Sequence, residues 1–257
     1  MIKPAFLVRE DRPTIVGQIF GTPIVVKGWT GLPLIELVVF GILSWVAGHK
    51  RPDWSWSKRL YAGALTTTIM LGSEWCHNLA HTAVASKIGR PVDAIRIFWG
   101  TPLLIYYDIN DQHVSPRQHM TRALGGPAFN ALMVPITWLA KYFARETREG
   151  SLTHYAAEFA LGTNCVISTA SLLPIPGIDG GPLLKWSLVD RGRSPEQADE
   201  VVKGVNRLLG GGLAVASGVA LKKHRKWLAA AMAAFAATSL AIGFGYLKEQ
   251  KSPVKEI

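Results

Sequence analysis

The sequence predicts an all-α polytopic membrane protein with about six transmembrane helices and short β-hairpins at the membrane surface. Three observations carry this. Apolar residues make up 49% of the 257-residue chain. They fall in blocks, over Leu32–Ala47, Leu60–Ser86, Ala123–Phe143, Tyr155–Leu173, Val205–Leu221 and Trp227–Tyr246, several of them near the roughly 20 residues that a bilayer-spanning helix needs. The basic residues collect at the block ends, as Lys50, Arg51, Lys58 and Arg59, as Lys141, Arg145 and Arg148, and as Lys222, Lys223, Arg225 and Lys226. A soluble all-α protein would have to bury every block, which leaves little polar surface.

The blocks are expected to form a single membrane domain over 1–257. Residues 1–28 form a surface strand region, 30–190 the core, 196–247 two C-terminal transmembrane helices and 248–257 a flexible tail. In the first region Gly21, Thr22 and Pro23 interrupt an apolar–polar alternation, which reads as a strand pair. Ile95–Trp99 and Leu103–Tyr107 are rich in β-branched and aromatic residues and read as a second hairpin. Asp108–Arg122 reads as a polar segment, and Pro182–Val189 as a short helix. Met1–Lys27 is too charged for a cleavable signal, so the first span is expected to act as the membrane signal. Cys76 and Cys165 both sit in apolar blocks and read as small buried side chains rather than a disulfide. The net charge of +10 follows from the flanking lysines and arginines, a membrane pattern. The bilayer and its anionic headgroups are therefore the expected partner, and nucleic acid is not. Trp29, Trp45, Trp54, Trp56, Trp138 and Trp227 fit interfacial anchoring.

Within the second block stand His77 and His81. Four residues apart on a helix, they share one face, about 40° apart, so both imidazoles can reach one metal ion. In H-E-x-x-H hydrolases the residue after the first His is a Glu that takes a proton from the metal-bound water; here it is Asn78. Pro174–Gly181 places Asp179 between Pro/Gly turns, either as the cap of the helix that follows or as a ligand. One reversed span separates the two segments, so the spans ending near His81 and near Leu173 run parallel. That topology brings His77, His81 and Asp179 to one membrane face, as three ligands with a fourth position open. Gly125, Gly126, Pro127 and Ala128 allow close helix approach, and Asn130 is a polar group in or beside the site. Glu74, one turn before His77, shares the ligand face. It reads as a displaced base, a further ligand, an orienting partner of His77, or a group paired with a neighbouring helix. His154 and Glu158 read as a local pair.

In these residues the chain resembles the site-2 protease family of intramembrane zinc metalloproteases. The resemblance covers roughly residues 17–190. It includes Ile19–Val26, the His pair followed by Lys87–Val92, the Gly126-Pro127-Ala128-Phe129-Asn130 element and the Leu173–Gly181 element. The motifs are weak singly and specific in their order and spacing. The resemblance implies a site-2-protease-like core, one zinc ion on His77, His81 and Asp179, a metal site near the cytosolic face, and cleavage of transmembrane segments of partner proteins. It also implies a helix-accepting cleft near Asn130, Phe98 and Tyr106, where an extended segment could add to a strand edge.

The chain departs from the family at Asn78, in place of the catalytic Glu, and at Ser171, where the family has Asn. Two functions follow. The first is a catalytically impaired pseudoprotease that keeps the zinc-site shell and binds a transmembrane segment or membrane complex. The second is an active intramembrane metalloprotease using Glu74 as a non-standard base. The first is preferred, because loss of a general base costs about 10²–10⁴-fold.

Overall fold

The structure, a computed structural model, describes residues 13–106, 113–145 and 151–247. Among these, four strands form a sheet in the order β1-β2-β3-β4: β1 Thr14–Ile19, β2 Thr22–Val26, β3 Ala94–Phe98 and β4 Thr101–Ile105. Both predicted hairpins form. They join into one sheet because β2 and β3 pair in parallel, Ile24 opposite Ile95 and Val26 opposite Ile97. Each hairpin closes over two residues of positive φ, Phe20 (49°) and Gly21 (79°), then Trp99 (50°) and Gly100 (102°). Such turns match the right-handed twist of the strands. Val25 and Ile95 form the buried centre of the sheet.

The helices are α1 Leu34–Lys50, α2 Trp56–Lys87, α3 Pro116–Ala144, α4 Leu152–Ala170, α5 Gly180–Asp190, α6 Pro195–Lys222 and α7 Lys226–Gly243. Several begin before their apolar blocks, α3 at Pro116 rather than Ala123 and α6 at Pro195 rather than Val205. Serine caps explain this. Ser55 accepts from the Lys58 amide, Ser115 from Gln118, Ser151 from His154 and Ser194 from Gln197. Gln118 and Gln197 reach back to the cap amides, completing capping boxes. A cap satisfies orphan N–H groups, so the polar first turns stay helical.

The described residues divide into two compact units, one from 13–106, 128–145 and 151–168, the other from 113–127 and 169–247. In the first, α1 packs on α2 through small residues. Gly63 faces Ser44 so closely that any Cβ there would overlap it. Ala47, Ala62 and Trp54 form a buried cluster lined by Leu152 and Tyr155. In the second unit α6 packs on α7, with Gly210 against Ala236 and Leu240 and Gly243 against Arg207. Lys185 of α5 pairs with Asp199 of α6 at 2.8 Å. His119 stacks on Trp186 at 3.8 Å and is buried with Arg122, while Arg117 in the same first turns of α3 is exposed.

Among the described residues four helical segments are long and apolar enough to cross a membrane: Gly28–Lys50, Pro116–Ala144, Pro195–Lys222 and Lys226–Gly243. Helices α2 and α4, 32 and 19 residues, have the length, about 48 and 28 Å at 1.5 Å per residue. They fall short in apolarity because they carry Ser73, His77, Asn78, His81, Asn164 and Ser168. Both cysteines are free, and Cys76 is exposed rather than buried, since a one-residue step turns it about 100° from His77. Glu158 pairs with Lys141 across helices at 3.4 Å instead of with His154. The expected tail at 248–257, Tyr107 at the end of the second hairpin, and Arg148 lie outside the described residues.

Candidate metal centre

The first unit holds the histidine pair. One turn of α2 brings the His77 and His81 rings to a centroid distance of 4.7 Å, edge to face, with their Nε2 atoms 3.1 Å apart. Both side chains are buried. Two nitrogens each about 2.0–2.1 Å from one tetrahedral ion stand about 3.3 Å apart, so the donor pair fits a shared zinc.

A chain of hydrogen bonds fixes which nitrogen of His77 faces that position. The Asn164 amide nitrogen donates to the Ala160 carbonyl at 2.9 Å, which leaves Asn164 Oδ1 as an acceptor. It receives the Asn130 amide at 2.8 Å and the Ser73 hydroxyl at 3.2 Å. Asn130 Nδ2 also donates to Ser73 Oγ at 2.9 Å. The amide of Asn130 is thereby oriented, and its Oδ1 faces His77 Nδ1 at 2.7 Å. An acceptor there requires an N–H on Nδ1, so Nε2 of the neutral imidazole carries the lone pair. This is how an outer hydrogen-bond partner orients a metal-ligating histidine.

Asn130 is expected in or beside the site, and it stands against the His77 ring, fully buried. Ser73 and Asn164 were not anticipated. The signal was present, because polar side chains inside apolar spans are costly and tend to serve a function, and Ser73 stands one turn before His77.

Asn78 turns its amide back onto its own helix, donating to the Glu74 carbonyl at 3.0 Å. Glu74 is half-buried on α2, three residues before His77. Glu36 is buried, and both its carboxyl oxygens lack a hydrogen-bond partner. Phe98 ends β3, where Arg96 lies over its ring at 5.6 Å and Trp99 packs at 4.7 Å. Tyr106 follows β4 directly.

Asp179 belongs to the second unit, where it immediately precedes α5 without capping it through its side chain. The loop before it is tightly closed. The Gly180 amide donates to the Ser171 carbonyl at 2.8 Å and the Gly181 amide to the Ile178 carbonyl at 3.0 Å. A Cβ on Gly180 would overlap the Leu172 and Leu173 carbonyls, and one on Gly181 the Ile175 carbonyl. Glycine is therefore required at both positions after Asp179. Asn206 of α6 donates to the Pro174 carbonyl at 2.7 Å, tethering the start of the loop. The Ser171 hydroxyl is buried without a hydrogen-bond partner.

No protein-family model and no curated protein matches the chain. Among solved structures it is similar to a site-2 protease from Methanocaldococcus jannaschii, with a TM-score of 0.54 and 14% identity, over 95% of this chain and 100% of that one. At that identity the likeness speaks for the fold. With four helices apolar and long enough to cross a bilayer, the chain is an integral membrane protein with the fold of a site-2 protease.

Proposed function

We propose that this chain is a pseudoprotease. It holds one zinc ion on His77, His81 and Asp179 near the cytosolic face, and binds a transmembrane segment of another membrane protein without cutting it. The observation that carries this reading is the Asn78 amide, folded back on the Glu74 carbonyl at the position after the first histidine. Its nitrogen is committed as a donor, and an amide oxygen does not take up a proton at neutral pH. When bound, the ion supplies Lewis acidity. The chain's own residues hold His77 in one tautomer through Asn130 and present Asp179 on a loop that its glycines keep rigid. Asn78 leaves no proton acceptor at the position after the first histidine.

Partner binding is supported by β4, which lies at the sheet edge. Thr101 closes the hairpin opposite Phe98, so alternation turns the backbone of Pro102 and Leu104 outward. Pro102 offers no N–H there, and Leu104 to Tyr106 is the stretch best suited to receive an added strand.

A second reading, active proteolysis with Glu74 as base, rests on its place three residues before His77 on the same helix face. Elemental analysis of the purified full chain, paired with gentle extraction, tests the proposal. About one zinc per chain, lost in Asp179→Ala, and recovery with a second membrane protein that crosslinks near Leu104 are expected. A metal-free chain that runs as a monomer, with any crosslinks confined to α6 and α7, contradicts it.

A further inference from the structure

The α1–α2 hairpin carries a cleft unrelated to the histidine pair. It has a volume of about 250 Å³ and is lined by Ser44, Trp45, Gly48, His49, Trp56 and Arg59. Two of its lining residues carry a buried donor without a hydrogen-bond partner, Arg59 at Nε beside Gly48 and Ser44 at Oγ against Gly63. Ser44 is only 4% exposed. The far end of Arg59 is fixed, its Nη2 donating to the Pro52 carbonyl at 2.8 Å. Its stem lies along Gly48, where an added Cβ would stand 3.0 Å from Arg59 Cδ. The neighbouring cations are turned elsewhere. Arg51 pairs with Asp53 at 3.0 Å, and Lys58 lies over the Trp54 ring at 4.5 Å.

A guanidinium N–H and a hydroxyl, both buried and both lacking an acceptor, call for an anionic oxygen. The location says which. Helix α1 is apolar enough to cross the bilayer and ends at Lys50, so the cleft lies at headgroup level. Trp45 and Trp56 are 60% and 68% exposed beside it, and Trp45 stacks on His49 at 5.7 Å. Exposed indoles at a span end mark the interface between headgroups and acyl chains.

We propose that this cleft binds the phosphate of a glycerophospholipid. Arg59 Nε and Ser44 Oγ donate to the phosphate oxygens, and Trp45 and Trp56 flank the glycerol and the first acyl carbons.

The full chain, delipidated in detergent, is titrated with phosphatidylglycerol, with diacylglycerol and with inorganic phosphate, and bound species are counted by native mass spectrometry. One phosphatidylglycerol should be retained per chain, diacylglycerol should not, and millimolar inorganic phosphate should not displace the lipid. Arg59→Gln should weaken retention at least about 10-fold and Ser44→Ala about 3-fold, the range of a lost charge-assisted and a lost neutral hydrogen bond. Arg225→Gln, at another span end, should leave it unchanged. Should Arg59→Gln not fold, Arg59→Lys keeps the charge without the Nε donor and should fall between. The proposal is overturned if Arg59 and Ser44 variants retain lipid as the parent does. Equal weakening by Arg225→Gln, or displacement by inorganic phosphate at micromolar concentration, overturns it too, pointing to general charge attraction or a soluble-anion site.

Discussion

His77 Nδ1 and Asn130 Oδ1 lie 2.7 Å apart, so a side chain of α3 sets the ring orientation of a candidate ligand on α2. Asn130 is itself oriented by Asn164 and Ser73. Asn130→Ala should therefore weaken zinc binding by about 10–100-fold, the usual effect of losing such a partner. Asn164→Ala, two bonds removed from the ring, should weaken it less. Competition titrations against a chromophoric chelator measure both. Equal zinc affinity in the parent and in Asn130→Ala would show that the hydrogen bond only packs the bundle.

Gly181→Ala would force a Cβ into the Ile175 carbonyl. Backbone cannot yield as a side chain can, so a cost of about 1–3 kcal/mol is expected, with a lower melting temperature in detergent. Asn206→Ala should lower it by less, since it removes the tether to the Pro174 carbonyl without a clash. A neutral Gly181→Ala would mean that the loop bearing Asp179 is not held as tightly as its contacts imply.

Ser194 and Gln197 form the capping box of α6. Ser194→Ala should cost about 1 kcal/mol, read as an earlier denaturation midpoint, and Ser194→Asp should restore most of it. If alanine and aspartate behave alike, the helix start is fixed by packing instead.

Much of this architecture was legible in the sequence, and the parts that were not have physical reasons. The apolar blocks located the long helices, and β-branched runs around Gly21 and Gly100 located both hairpins. Parallel pairing of Ile24 with Ile95 was not visible, because hydrophobic alternation fixes which face of a strand is buried and not which strand lies beside it. Helix starts were missed where a serine cap carries the helix into polar sequence, as at Ser115 and Ser194. At the site, the His77–His81 spacing is local and was read directly. The Ser73–Asn130–Asn164 network joins three helices, and its pairing depends on packing that no local pattern encodes. Cys76 was misread because a helix inside an apolar block still has an outward face.

The most direct test of the central claim is cleavage of a transmembrane substrate in liposomes by zinc-loaded parent and Asn78→Glu proteins side by side. The pseudoprotease account predicts no cleavage above background in the parent and a gain on the order of 10²-fold or more in Asn78→Glu. Robust cleavage by the parent, abolished in Glu74→Gln, would contradict it.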